Sequence, residues 1–307
     1  MGVIMVNDLI KSTNLIYVPS EYAFPAKPED LHMLPEKEVE KVTIPVIDFS
    51  FLTSGSLDQR SKIIEDLRNA CQDWGFFMVV NHGVPESLKK DLIDLCMNFF
   101  DLSPEEKLPY RGKYELDPRI VLDHETSFDN TVDNVSFWRD QFRVFVHPVF
   151  HPPHKPEGLS EVLSEYSKRS RVIMKELLRG IMEGLELDVD DIENSLELKS
   201  GDQIFSANFY PPCPQPELAI GLPPHADHGL LTLLIQNDVD GLHIKNKGKW
   251  VAVNPIPNSI MVNTGDHMEV LSKGKYKSVL HRAVVNNKET RISLVMTNGS
   301  TNETAAT

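Results

Sequence analysis

After Gly201 the chain breaks into short β-rich runs punctuated by Pro, Gly and Asn, whereas much of what precedes it follows longer helical periods. A helix returns apolar residues to one face every three or four positions, and a strand every second one, so this change of period separates two kinds of packing. Helices first and many short strands later imply a helical wrapping laid on a β-sandwich or barrel. The expected fold class is α+β with a mainly β core.

Residues 58–74 place Ile63, Ile64, Leu67, Ala70, Cys71 and Trp74 at helical spacing, and Gly75 stops that helix. Phe76-Phe77-Met78-Val79-Val80 reads as a buried strand ended by Asn81-His82-Gly83. Pro85 opens a second helix to about Phe100, and Ser103-Pro104-Glu105-Glu106 is a third helix start. Residues 110–135 lack a period and read as a loop, and 159–187 as a long amphipathic helix. Further on, Gly241-Leu242-His243-Ile244 and Lys249-Trp250-Val251 flank a hairpin turn. The expected divisions are a loose lead-in over 1–43, an N-terminal domain over 44–150, a supporting helix and linker over 151–200, and a core over 201–307.

The 307 residues suffice for a sizeable interior, and a formal charge of −14 repels phosphate backbones, so nucleic acid is not an expected partner. Three cysteines, Cys71, Cys96 and Cys213, are too few and too irregular for a disulfide scaffold. No stretch is apolar enough for a bilayer span, and residues 1–20 lack the apolar centre of a secretory leader. The expectation is a cytoplasmic monomer that does not engage a membrane.

Pro223-Pro224-His225-Ala226-Asp227 offers an imidazole and a carboxylate at i and i+2, on one side of an extended segment. His281, within Val279-Leu280-His281-Arg282-Ala283, supplies a third donor from another strand. Two His and one carboxylate on one face leave coordination positions open, as in non-haem Fe(II) oxygenases. Zinc hydrolases also use two His and a carboxylate. Their His-Glu-x-x-His motif is absent, since His124-Glu125 leads to Phe128. His82 reads as structural, and His124, His147, His151 and His154 as surface residues. His228 is open to two readings, a residue behind the metal ligands or a solvent-exposed one.

Arg291-Ile292-Ser293 and Asn208-Phe209-Tyr210 repeat the i, i+2 pattern within apolar strands. A concave sheet lined by these pairs would hold a metal and a small dicarboxylate, with the planar fork of Arg291 suited to a carboxylate.

These motifs together resemble the plant 2-oxoglutarate/Fe(II)-dependent dioxygenases. The similarity extends over Asn208-Phe209-Tyr210-Pro211-Pro212-Cys213-Pro214, Asn263-Thr264-Gly265-Asp266 and Trp74-Gly75-Phe76-Phe77, and covers about residues 44–298. The resemblance implies a double-stranded β-helix (jelly roll) with an N-terminal helical domain around it. It implies iron ligands His225, Asp227 and His281. It implies that Arg291 and Ser293 bind the C5 carboxylate of 2-oxoglutarate, with Tyr210 and Asn208 assisting, O2 as oxidant and ascorbate as supporting reductant. Gln141 and Arg143, on the strand after Trp138, would border the organic substrate together with Ser206 and Thr297. The expected activity is hydroxylation, desaturation or demethylation of a small hydrophobic plant metabolite. Two alternatives stand beside this one, the first because it resembles the same family and the second because members usually continue further past the Arg-x-Ser strand than Thr307. They are an ascorbate-dependent aminocyclopropane-carboxylate oxidase-like enzyme and a catalytically impaired ligand-binding relative.

Overall fold

Where apolar residues alternate, the chain forms strands; where they recur at helical spacing, it forms helices that cover those strands. The computed structural model describes residues 5–13, 15–23, 39–110, 121–122, 136–187 and 201–298. In chain order its elements are α1 (Val6–Ser12), β1 (Lys41–Val42), β2 (Val46–Asp48), α2 (Phe49–Ser54), α3 (Leu57–Asp73), β3 (Phe76–Val80), α4 (Glu86–Asp101), α5 (Pro104–Lys107), β4 (Val121–Leu122), β5 (Asp140–His147) and α6 (Leu159–Gly184). There follow β6 (Gln203–Tyr210), β7 (Leu222–His225), β8 (Leu231–Gln236), β9 (Leu242–Asn246), β10 (Lys249–Val253), β11 (Ile260–Thr264), α7 (Asp266–Leu271), β12 (His281–Ala283) and β13 (Arg291–Asn298).

The strands form a five-stranded sheet, β1-β10-β9-β12-β7, and an eight-stranded sheet, β2-β3-β11-β8-β13-β6-β5-β4. Segments expected as separate divisions meet in the larger sheet, because β3 pairs with β11 and β5 with β6 of the later core, while β2 pairs with β3 at the edge. One face of the larger sheet is mainly apolar. Phe142, Phe205, Phe209, Leu233, Val262, Ile292 and Leu294 pack there against Leu67, Cys71, Phe99, Phe100, Ile173 and Leu177 of the helices. The opposite face meets the smaller sheet through Phe76, Met78 and Met261 against Leu242, Ile244 and Val251. That is the jelly-roll arrangement expected, with the site on the inner side.

Local chemistry sets the ends of the elements. Ser56 with Gln59, and Ser103 with Glu106, form reciprocal capping boxes at α3 and α5. Gly75 ends α3 at φ +62, and a Cβ there would lie 2.5 Å from the Lys277 carbonyl oxygen. α6 stops at Gly184 rather than 187, because Glu186 turns to φ +59. The third helix is a single turn followed by a 3-10 turn over Leu108–Tyr110. The hairpin forms as expected, with Lys249 paired to Asn246. Apart from Tyr110 and β4, the expected loop at 110–135 lies outside the described residues, as does His124. His147 is not in a surface loop but ends β5, half-buried. All three cysteines are buried free thiols. Among the described residues, no helix is long and apolar enough to cross a membrane.

The lead-in differs from expectation over its first described segment. α1 is docked, with Val6 and Asn7 buried. Asp140 accepts from the Val6 and Asn7 amides at 2.7 and 2.8 Å, so a carboxylate on β5 occupies the start of this helix. Lys107, fully buried, donates to Asp8 at 2.6 Å and to the Phe100 carbonyl at 3.1 Å. Removing one partner of such a pair strands the other. Lys107→Met is therefore expected to lower stability in urea unfolding by about 3 kcal/mol, and adding Asp8→Leu to recover most of it. A double variant as unstable as the single one would show that the stranded carboxylate is not the cause.

Candidate metal and co-substrate site

Two histidines face each other across one strand pair. β7 carries Pro223 and Pro224, which lack ladder donors, and the chain places it at the edge of its sheet. There His225 is the direct cross-strand partner of His281 on β12. Their ring centroids are 4.1 Å apart. His225 Nδ1 lies 2.9 Å from the Pro223 carbonyl oxygen, and His281 Nδ1 lies 3.1 Å from that of Val279. A carbonyl only accepts, so each Nδ1 carries the proton and each Nε2 keeps its lone pair. Those lone pairs converge on Asp227, with Nε2 to Oδ1 distances of 3.8 Å from His225 and 3.6 Å from His281.

Asp227 reaches this place differently from the expected strand alternation, since β7 ends at His225. The turn is held from behind. The Asp266 amide donates to the Asp227 carbonyl at 2.7 Å, and Asn263 Nδ2 donates to Asp227 Oδ2 at 2.8 Å. Gly265 permits the close approach, because a Cβ there would sit 2.2 Å from the Gly229 carbonyl oxygen and 2.6 Å from that of Asp227. Burial, then the positive fields of His281 and Arg139, push the His225 pKa down to about 3, against the pull of Asp227. For Asp227 burial raises the pKa, but the imidazoles of His281 and His225 and the Asn263 hydrogen bond outweigh it and hold the carboxyl below its usual range. A neutral His225 beside an ionised Asp227 is the protonation pattern a divalent cation requires. One ligand atom from each of His225, Asp227 and His281 lies within 4.8 Å of the other two, so the three could hold one metal ion.

The second cluster lies on the inner face of the larger sheet. Register brings both strand pairs together, with Arg291 opposite Tyr210 and Ser293 opposite Asn208. Arg291 is buried, its guanidinium 5.1 Å from the Tyr210 ring centroid. It donates through Nη2 to Gln236 Oε1 at 2.7 Å, whereas among the described residues Nε and Nη1 have no hydrogen-bond partner. Burial lowers the pKa of this guanidinium, and Tyr210 and Asp240 oppose the shift. A buried arginine with two unanswered donors fits a bound carboxylate. Gly241 makes room for it, since a Cβ there would lie 2.6 Å from Arg291 Cδ.

The expected substrate-facing residues share that face. Gln141 is opposite Asn208, Arg143 opposite Ser206, and Thr297 opposite Thr232. His228 is exposed, 3.3 Å from Asp266, and stands apart from the three converging donors. His82 is structural, accepting from the Val84 amide at 3.1 Å and donating to the Asn258 carbonyl at 2.8 Å. Three residues escaped the sequence reading as site residues: Gln236, Asn263 and Arg139. Gln236 ends an apolar strand and Asn263 opens the motif Asn263-Thr264-Gly265-Asp266, so a polar residue in an otherwise apolar strand was the available signal. Asn263→Leu should weaken Mn(II) binding by about 10–100-fold in calorimetry while the thermal midpoint moves little. Unchanged affinity would show that Asp227 does not need this hydrogen bond.

The comparisons agree with the geometry. Residues 184–299 match the 2OG-Fe(II) oxygenase superfamily, and residues 44–165 match the non-haem dioxygenase in morphine synthesis N-terminal family. The chain is 46% identical to "2-oxoglutarate-dependent dioxygenase 19" of Oryza sativa subsp. japonica, over 82% of this chain and 74% of that protein. It is 38% identical to thebaine 6-O-demethylase of Papaver somniferum, over 96% of this chain and 81% of that one. A solved structure of JOX2 in complex with 2OG, Fe and JA superposes with a TM-score of 0.84 at 29% identity, covering 98% of this chain and 84% of that chain. The chain belongs to the 2OG-Fe(II) oxygenase superfamily and is a 2-oxoglutarate-dependent dioxygenase.

Proposed function

We propose that His225, Asp227 and His281 hold Fe(II), that Arg291 and Ser293 bind the distal carboxylate of 2-oxoglutarate with Tyr210 and Asn208 assisting, and that the enzyme oxidises a small hydrophobic plant metabolite. The observation that carries this reading is the pair of unanswered donors on buried Arg291, on the same inner side as the three converging metal donors. When bound, iron supplies activation of O2 coupled to conversion of 2-oxoglutarate to succinate and CO2. The protein holds and orients. His225 and His281 present lone pairs, Asp227 offsets the cation's charge, and Arg291 fixes one end of the keto acid so that the other end faces the metal ligands. The apolar packing of Phe76 against His281, with ring centroids 5.4 Å apart, limits water on one side of that ligand.

The relatives favour 2-oxoglutarate over the aminocyclopropane-carboxylate alternative, since a dioxygenase dependent on it and a structure containing it are among them. On the substrate side, names among the relatives include thebaine 6-O-demethylase and flavanone 3-dioxygenase, and JOX2 was solved with JA. These support oxidation of a small organic molecule; hydroxylation, desaturation or demethylation as the outcome, and Gln141, Arg143, Ser206 and Thr297 as the residues bordering the substrate, are part of the proposal. Ascorbate as reductant, and action as a cytoplasmic monomer, belong to the same proposal.

Two variants separate the roles. His225→Ala is expected to lose Fe(II) binding and the slow succinate release that occurs without substrate together. Arg291→Gln should keep Fe(II) binding and raise the 2-oxoglutarate concentration needed for half-maximal succinate release by about tenfold or more, the loss of about 1.4 kcal/mol or more. Succinate release at the wild-type rate in His225→Ala, or an unchanged 2-oxoglutarate requirement in Arg291→Gln, would contradict the assignment.

A further inference from the structure

Trp138, Arg139 and Asp140 point three ways. The Trp138 indole donates to the Pro211 carbonyl at 3.1 Å, and its main-chain amide donates to Ile220 at 2.9 Å. Asp140 faces the helices and accepts from the Val6 and Asn7 amides. Both neighbours of Arg139 are thereby fixed, one to the end of β6 and one to α1. Arg139 has the same parity as Gln141 and Arg143, so it points to the inner face, where it is buried.

There Arg139 Nη1 donates to Asn208 Oδ1 at 3.1 Å. A guanidinium has donors only, so it must meet the oxygen of the amide and not its nitrogen. Asn208 therefore has its acceptor engaged and its NH2 left to donate. Among the described residues that NH2 meets no acceptor. Asn208 lies opposite Ser293, one step of alternation from Tyr210, which is itself opposite Arg291. Carboxylate and keto oxygens are acceptors, and an amide turned the other way would present them with a second acceptor.

We propose that Arg139 is a positioning residue of the co-substrate site, holding the Asn208 amide with its NH2 toward 2-oxoglutarate. Arg139 acts through Asn208 and need not touch the ligand. This rests on the 2-oxoglutarate reading of the site given above, and it assigns a role to a residue outside the metal ligands and the Arg-x-Ser pair. It also gives α1 a connection to that site, because Asp140 anchors α1 on one face of the strand beside the arginine that works on the other.

The test is a mutant cycle read by calorimetric titration of 2-oxoglutarate into the Mn(II)-loaded full chain without oxygen, so that binding is measured and turnover is not. Asn208→Ala is expected to weaken binding about tenfold. Arg139→Met should weaken it by a similar factor, and the double variant by no more than about twofold beyond either single one, because both remove the same donor. Arg139→Lys keeps a donor for Oδ1 and should bind within about threefold of wild type. Asn208→Asp leaves Arg139 a partner but removes the NH2, so it should bind at least as weakly as Asn208→Ala. This variant decides the matter if Arg139→Met fails to fold. Wild-type affinity in Arg139→Met or Asn208→Asp, or losses that multiply in the double variant, would overturn the proposal. If Arg291→Gln weakens binding while Arg139→Met does not, this inference falls and the functional reading stands. If the wild-type chain takes up no 2-oxoglutarate, both fall.

Discussion

A pleated strand sends successive side chains to opposite faces, and the larger sheet depends on that alternation at every step. Phe142, Phe205 and Phe209 face out and seat the helices, while Gln141, Arg143, Ser206 and Asn208 face in. A one-residue slip of β6 against β13 would bury Asn208 under α4 and turn Phe209 into the site. The aromatic cluster makes such a slip expensive, with Phe99 4.5 Å from Phe142 and Phe100 4.9 Å from Phe209 between ring centroids. Helix packing on one side of the sheet therefore fixes the register of the polar row on the other.

Within that frame the site is built by pairing across strands. His225 opposes His281, Arg291 opposes Tyr210, and Ser293 opposes Asn208. Several of these groups are then oriented from behind by a backbone carbonyl, an amide or a guanidinium: carbonyls on both Nδ1 atoms, Asn263 on Asp227, Gln236 on Arg291, Arg139 on Asn208. Such support costs little reorganisation when a ligand arrives, which is how a protein holds a metal and a keto acid in one relative geometry.

The sequence showed the i, i+2 pairs because alternation is local. His225 with Asp227, Arg291 with Ser293 and Asn208 with Tyr210 all came from reading period two inside apolar runs. The helices from 57 onward were legible for the same reason, to within a residue or two at most ends; α6 closed three residues early, where Glu186 adopts a positive φ that no period announces. What the sequence concealed is non-local. Asp227 sits beyond the end of β7, placed by Asn263 and by the Asp266 amide. The docking of α1 rests on Asp140 and Lys107, polar contacts bridging about a hundred residues, which hydrophobic periodicity cannot register. Arg139 read as part of a substrate-bordering strand, and only the register of β5 against β6 shows which amide it holds.

The central claim is that the three converging donors and the buried arginine form one site, in which a metal-bound keto acid spans the distance between them. Addition of Fe(II) and then 2-oxoglutarate to the protein under anaerobic conditions tests this directly, through the weak visible charge-transfer absorption of an iron-bound 2-oxo acid. The band is expected to grow with 2-oxoglutarate and saturate at one equivalent per chain, and to be absent with glutarate, which has both carboxylates but no keto group. Fe(II) binding with no such band at saturating 2-oxoglutarate would contradict the account.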